Sequence, residues 1–105
     1  MPKYGLHGKL QALSGKGEEL SRILLEASQL VSTAKGCHLY LVSTDAHDSD
    51  AVWVTEVWDS REDHDHSLSI PGVRELIGQA MPILAGRPEK GQVLTVLGGA
   101  GIPAS

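Results

Sequence analysis

The sequence predicts an α+β domain: a four-stranded antiparallel sheet with its helices on one face. Three observations predict it. Strand-like and helix-like stretches follow one another as β-α-β-β-α-β. The first helical stretch carries one unbroken apolar stripe. The two central strand-like stretches are neighbours, separated only by polar, turn-forming residues.

Each element has its own signal. Leu6, Gly8, Leu10 and Ala12 alternate with His7, Lys9 and Gln11, the period of a strand with one apolar face. Ser14-Gly15-Lys16-Gly17 interrupts it. Leu20, Ile23, Leu24, Ala27, Leu30, Val31 and Ala34 then recur at steps of three and four. Glu18 and Glu19 suit the first turn of that helix, and Lys35-Gly36 its close. Cys37 to Ser43 and Ala51 to Trp58 are rich in β-formers, and residues 44–50 read as a moderately long hairpin loop. Ser60 and Asp63 resemble a capping box for a short helix from Arg61. Ile70-Pro71-Gly72 breaks it, and Pro71 is expected in the first turn of a second helix. Val73, Leu76, Ile77, Ala80, Met81 and Leu84 form that helix's stripe, bent at Pro82 and ended by Gly86-Arg87-Pro88. Gln92 to Leu97 is the last strand, apolar on both faces and so expected to be buried on both. Right-handed crossovers in this order give the ferredoxin-like, split β-α-β arrangement. Residues 1–97 form a single domain on this basis, and 98–105 a Gly-, Ala- and Pro-rich flexible tail.

The chain has 105 residues, 41% hydrophobic and 21% charged, with a net charge of −4. It has only four aromatic residues and no Phe, so the core must come mainly from Leu, Val, Ile and Ala. The Lys and Arg residues are scattered, which argues against a nucleic-acid partner. No apolar run is long enough to cross a membrane, and Met1 to Lys9 lacks the apolar stretch of a secretory signal. The single cysteine, Cys37, rules out an internal disulfide. These features fit the cytoplasm. The sheet face away from the helices carries His7, Lys9, Gln11 and apolar side chains of the later strands. An open apolar face of that kind predicts a homodimer packed sheet to sheet, a dimeric α/β barrel.

Three stretches carry a family resemblance. Gly36-Cys37-His38-Leu39-Tyr40 opens the second strand. Val52-Trp53-Val54-Thr55-Glu56-Val57-Trp58-Asp59-Ser60 fills the third and leads into the next helix. Arg61 to Leu84 follows, with Ser67-Leu68 and the Pro-Ile-Leu close. In order and spacing these resemble the antibiotic biosynthesis monooxygenase family, particularly its quinol-monooxygenase-like members, over most of residues 4 to 97. The resemblance implies a dimeric α+β barrel. It also implies oxidation of aromatic polyketides or quinols by molecular oxygen without metal or flavin, although related members degrade haem. Departures accompany it. Many relatives carry a histidine where this chain has Ser67. Haem-degrading relatives carry a tryptophan there, an axial histidine near Ile77 and an asparagine near Leu10, which disfavours a haem reading.

The chemistry-bearing residues each have a functional and a structural reading. His64 lies one helical turn before Leu68 and should turn inward, where it can accept a proton from a phenol or quinol or serve as a hydrogen-bonded core histidine. His66 is about 200° further around, so the Asp-His-Asp-His run does not converge on a metal without a third ligand. Glu56 and Trp58 share one strand face and Trp53 takes the other. Trp58 is expected in the core, and Trp53 at a ligand or an interface. Glu56 needs a buried partner, for which His64, Tyr40 or an Arg qualifies. Tyr40 can donate to a substrate oxygen, with His38 on the same face, and both can equally belong to an interface. Cys37 reads as a small buried side chain.

The expectation is therefore a cofactor-independent monooxygenase acting on a small aromatic or quinone-like ligand. His64 and Tyr40 are its catalytic candidates, and Trp53, Glu56, Leu24, Leu68, Ile77 and Met81 its substrate-binding ones, with no metal site. The alternative is a non-catalytic dimer that binds a small molecule as a sensor, carrier or stress-related protein.

Overall fold

A computed structural model describes residues 2–87 and 91–102 of the chain. The elements are β1 (Lys3–Gln11), α1 (Gly17–Val31), β2 (Cys37–Asp45), β3 (Asp48–Trp58), α2 (Arg61–Ser67), α3 (Val73–Ala80) and β4 (Gln92–Val96). A single 3₁₀ turn, Met81–Ile83, extends α3. The strands form one antiparallel sheet in the order β2-β3-β1-β4, as the split β-α-β pattern predicts. Leu6 stands between Glu56 and Val93, and Lys9 opposite Trp53.

The first helix buries Leu20, Ile23, Ala27 and Val31 against the sheet. Its N-terminus has no cap of its own. Asp50 of β3 supplies one, accepting from the backbone N–H of Gly17 at 2.8 Å and of Gly15 at 3.1 Å. Gly17 is required by space, since a Cβ there would run into the Ser49 carbonyl. The helix ends at Val31, and Ala34 sits in the following turn, its N–H on the Val31 carbonyl. The predicted stripe was thus one step too long. The chain must reverse through left-handed Gly36 to enter β2.

The hairpin loop is much shorter than expected. Strands β2 and β3 continue to Asp45 and from Asp48, leaving Ala46 and His47 as the turn. Thr44, Asp48 and Ser49 are polar because they are exposed strand residues, and Asp50 because it caps α1, not because they form a loop.

Ser60 caps α2 as predicted, its Oγ accepting from the Asp63 N–H at 3.1 Å. Pro71 precedes α3 instead of starting it, because the intervening Gly72 takes a left-handed φ of 95°. β4 departs most from expectation: Val93 and Leu94 are 62% and 47% exposed. It is an edge strand outside the cover of the helices, so its apolar residues mark uncovered surface. Beyond it, Ile102 closes a turn onto Gly99. Pro88 and residues 103–105 lie outside the described residues.

The core has two centres. Leu20, Ile23, Val52, Leu76 and Ala80 form one, and Val31, Trp58 and Val73 the other. On the opposite sheet face, Leu41 is 49% exposed, and His7 stacks on Trp53 with ring centroids 4.9 Å apart. No helix among the described residues is long and apolar enough to cross a membrane.

Candidate functional site

A hollow of about 190 Å³ opens between the sheet and the helical layer, where the two core centres meet. Its inner wall is aliphatic, from Leu10, Ile23, Leu24 and Val73. Half-exposed Leu68, Ile77 and Met81 of the last helical region complete its lining at the solvent side. Ile77 and Met81 thereby explain why the α3 stripe continues past its buried members.

Among the described residues, a few side chains bring polar atoms into this hollow. Tyr40 of β2 and Glu56 of β3 are direct cross-strand neighbours on the inner face. His64 of α2 turns inward beside them, as its spacing from Leu68 predicts. Its Nε2 lies 3.8 Å from Glu56 Oε1. Its Nδ1 is 2.9 Å from Asp65 Oδ1. With Nδ1–H donated to Asp65, the lone pair is on Nε2, facing the hollow's carboxyl. Tyr4 and Trp58 hold the imidazole from two sides, at ring-centroid distances of 5.7 and 5.9 Å. Buried Ser67 donates its hydroxyl to the His64 carbonyl.

Glu56 is almost fully buried, and burial pushes its carboxyl above the usual carboxylate range. Two contacts oppose that push: the Trp58 Nε1–H, which donates to Oε1 at 3.0 Å, and His64. The Tyr40 phenol is pushed well above its usual range by burial, with Glu56 and then Cys37 adding to it. Tyr40 is therefore a fixed hydrogen-bond donor across the physiological range. The Cys37 thiol is likewise raised, by burial and Glu56, and offers no thiolate. Cys37 is only partly buried.

Not all the predicted residues meet here. Trp53 points to the open sheet face and packs on His7, which is held by Thr55 Oγ1 at 2.9 Å. It takes no part in the hollow. His38 sits in a β-bulge between Cys37 and Leu39 and reaches Asp59 Oδ1 at 2.6 Å, a contact that holds the Asp59 carboxyl below its usual range. His66 is exposed, so the two histidines of the run diverge. Among the described residues, no three His, Cys, Asp or Glu side chains converge as a metal-holding group. Asp65 and Trp58 were missed as partners of the site. Adjacency to His64 was a signal for the first, and a shared strand face with Glu56 for the second.

A sequence model described as antibiotic biosynthesis monooxygenase matches residues 4–79. The chain belongs to that family. A structure of a candidate antibiotic biosynthesis monooxygenase from Chloroflexus aurantiacus is 40% identical, with a TM-score of 0.85 over 96% of this chain and 99% of that one. A second, from Deinococcus radiodurans, is 26% identical with a TM-score of 0.72, covering 91% and 92% of the two chains. A conserved protein from Methanosarcina mazei shares the fold at 16% identity, with a TM-score of 0.81 over 91% and 94%. No curated protein matches the chain. In this antibiotic biosynthesis monooxygenase family member, the sheet and the broken second helical region enclose an apolar hollow. In this chain the polar end of that hollow is built from Tyr40, Glu56 and His64.

Proposed function

We propose that this protein oxidises a small phenol or quinol with molecular oxygen, without a cofactor, in the hollow that His64 lines. One observation carries the proposal: an inward imidazole nitrogen faces a buried carboxyl at 3.8 Å, inside an otherwise apolar cavity. The cavity size supports a single ring, since ~150 Å³ suffices for benzene. His64 Nε2 accepts the hydroxyl proton of the substrate. Protonation of His64 in turn favours the ionised form of Glu56, which steadies the imidazolium. Tyr40 donates to an oxygen of the bound ring. The phenolate passes one electron to oxygen, giving an aryloxyl radical and superoxide. Their recombination forms a carbon–oxygen bond at a ring carbon bearing hydrogen. Loss of that hydrogen as a proton breaks the O–O bond. One oxygen stays as a carbonyl, and the other leaves as water, taking that proton together with the one held by His64. Phenol and O₂ thus give quinone and water.

The homodimer belongs to the same proposal. Leu39, Leu41, Trp53 and Leu94 form an apolar sheet face that a second copy would cover. Oxygen consumption with a panel of quinols tests the activity. His64→Ala should slow it about a hundredfold or more, the usual range for a lost general base. Equal rates would remove His64 from the mechanism. The non-catalytic reading rests on Ser67, whose hydroxyl is engaged by the His64 carbonyl instead of facing a ligand. A ligand that raises the melting temperature but is recovered unchanged in air would favour it.

A further inference from the structure

A second hollow of about 200 Å³ lies next to the first. Leu10, Leu24, Tyr40 and Glu56 border both, so the two hollows adjoin at these side chains. Apart from Lys9, the residues it adds are apolar or glycine: Leu6, Val54, Gly8 and Gly91. Neither Gly8 nor Gly91 has a positive φ, so neither is needed for a turn. They provide space. A Cβ at Gly8 would lie 3.2 Å from Gly91 Cα, and one at Gly91 would lie 3.3 Å from Leu6 Cδ1. A side chain at either position would fill the floor of this hollow.

We propose that the ligand is a single-ring phenol or quinol carrying an unbranched apolar side chain, with the ring beside His64 and the chain lying over Gly8 and Gly91. The inference rests on the functional reading above and adds the substrate class. A ring occupies most of the first hollow, which leaves no room there for a chain of several carbons. Among the described residues, the second hollow offers no side-chain carboxyl or imidazole besides the shared Glu56, and its aliphatic walls are continuous with the first through Leu10 and Leu24. The polar end of the ligand therefore belongs beside His64 and the apolar end beyond Leu24.

Calorimetric titration of 4-alkylphenols under nitrogen, from methyl to pentyl, separates binding from turnover. In the wild-type protein, affinity should rise about four-fold per added methylene, the value for burying that group. Val54→Phe fills the second hollow from β3 and leaves the His64 hollow untouched. It should keep the affinity for 4-methylphenol and lose the rise. Val54→Leu, with one added methylene, gives the same comparison if the larger variant does not melt cooperatively, and should weaken only the longest chains. A flat series in the wild type, or an equal loss at every chain length in the variant, overturns the placement of the chain alone. Failure of 4-methylphenol to bind at all overturns the functional reading, and this inference with it.

Discussion

Replacing Trp58 with phenylalanine removes the N–H donor that holds Glu56 from within the core. The donor bonds Glu56 Oε1 at 3.0 Å, and both residues are buried. A buried carboxylate that loses its partner costs about 1–3 kcal/mol, and the smaller ring adds a packing loss that does not depend on pH. The hydrogen-bond share does depend on pH. The N–H favours the ionised carboxyl, so without it the carboxyl of Glu56, already raised by burial, rises further. A raised carboxyl binds its proton more tightly in the folded chain than in the unfolded one. Its protonated form favours folding, and that advantage is lost as pH climbs from the ordinary carboxylate range through the folded value. The variant's deficit should therefore be smaller at pH 4 than at pH 8. For a chain of this size, 1 kcal/mol moves the melting temperature by about 4 °C, so the extra loss at pH 8 should be about 4–12 °C. Melting curves across this pH range, at fixed protein concentration, measure it. Adding Glu56→Gln to Trp58→Phe should flatten the profile. An equal deficit at pH 4 and pH 8 would refute the idea that the indole N–H holds the carboxylate.

Two further outcomes are expected beside those for His64 and Val54. Gly17→Ala would ordinarily stabilise a helix by about 0.5–1 kcal/mol. Here its Cβ meets the Ser49 carbonyl, so the melting temperature should fall, and a rise would show that the hairpin gives way freely. Leu41→Asp places a charge on the open sheet face. Sedimentation equilibrium should show a wild-type dimer and a monomeric variant of unchanged secondary structure. A monomeric wild type, or a variant that stays dimeric, would remove that face as the interface.

Local chemistry wrote much of this molecule into its sequence. The order of elements, the α1 stripe, the Ser60 cap and the inward turn of His64 all follow from period and spacing, which a single chain segment carries. Sequence and structure part where polar residues signal a loop. Asp48 to Asp50 look like turn residues, yet they are strand: Asp48 and Ser49 are exposed at the end of the hairpin, and Asp50 caps α1. The same ambiguity misled at β4, where apolar residues on both sides signal burial in a central strand but uncovered surface at an edge.

The sequence by itself determined which residue types face one another across a strand or along a helix, because side-chain direction repeats with a fixed local period. Only the tertiary structure decided which segments meet. It brought Asp50 to the start of α1, divided Trp53 from the hollow, and set Glu56 between Trp58 and His64. Those meetings depend on sheet register and crossover geometry. Neither is stored in any one segment; both emerge when the strands pair and the helices settle over them.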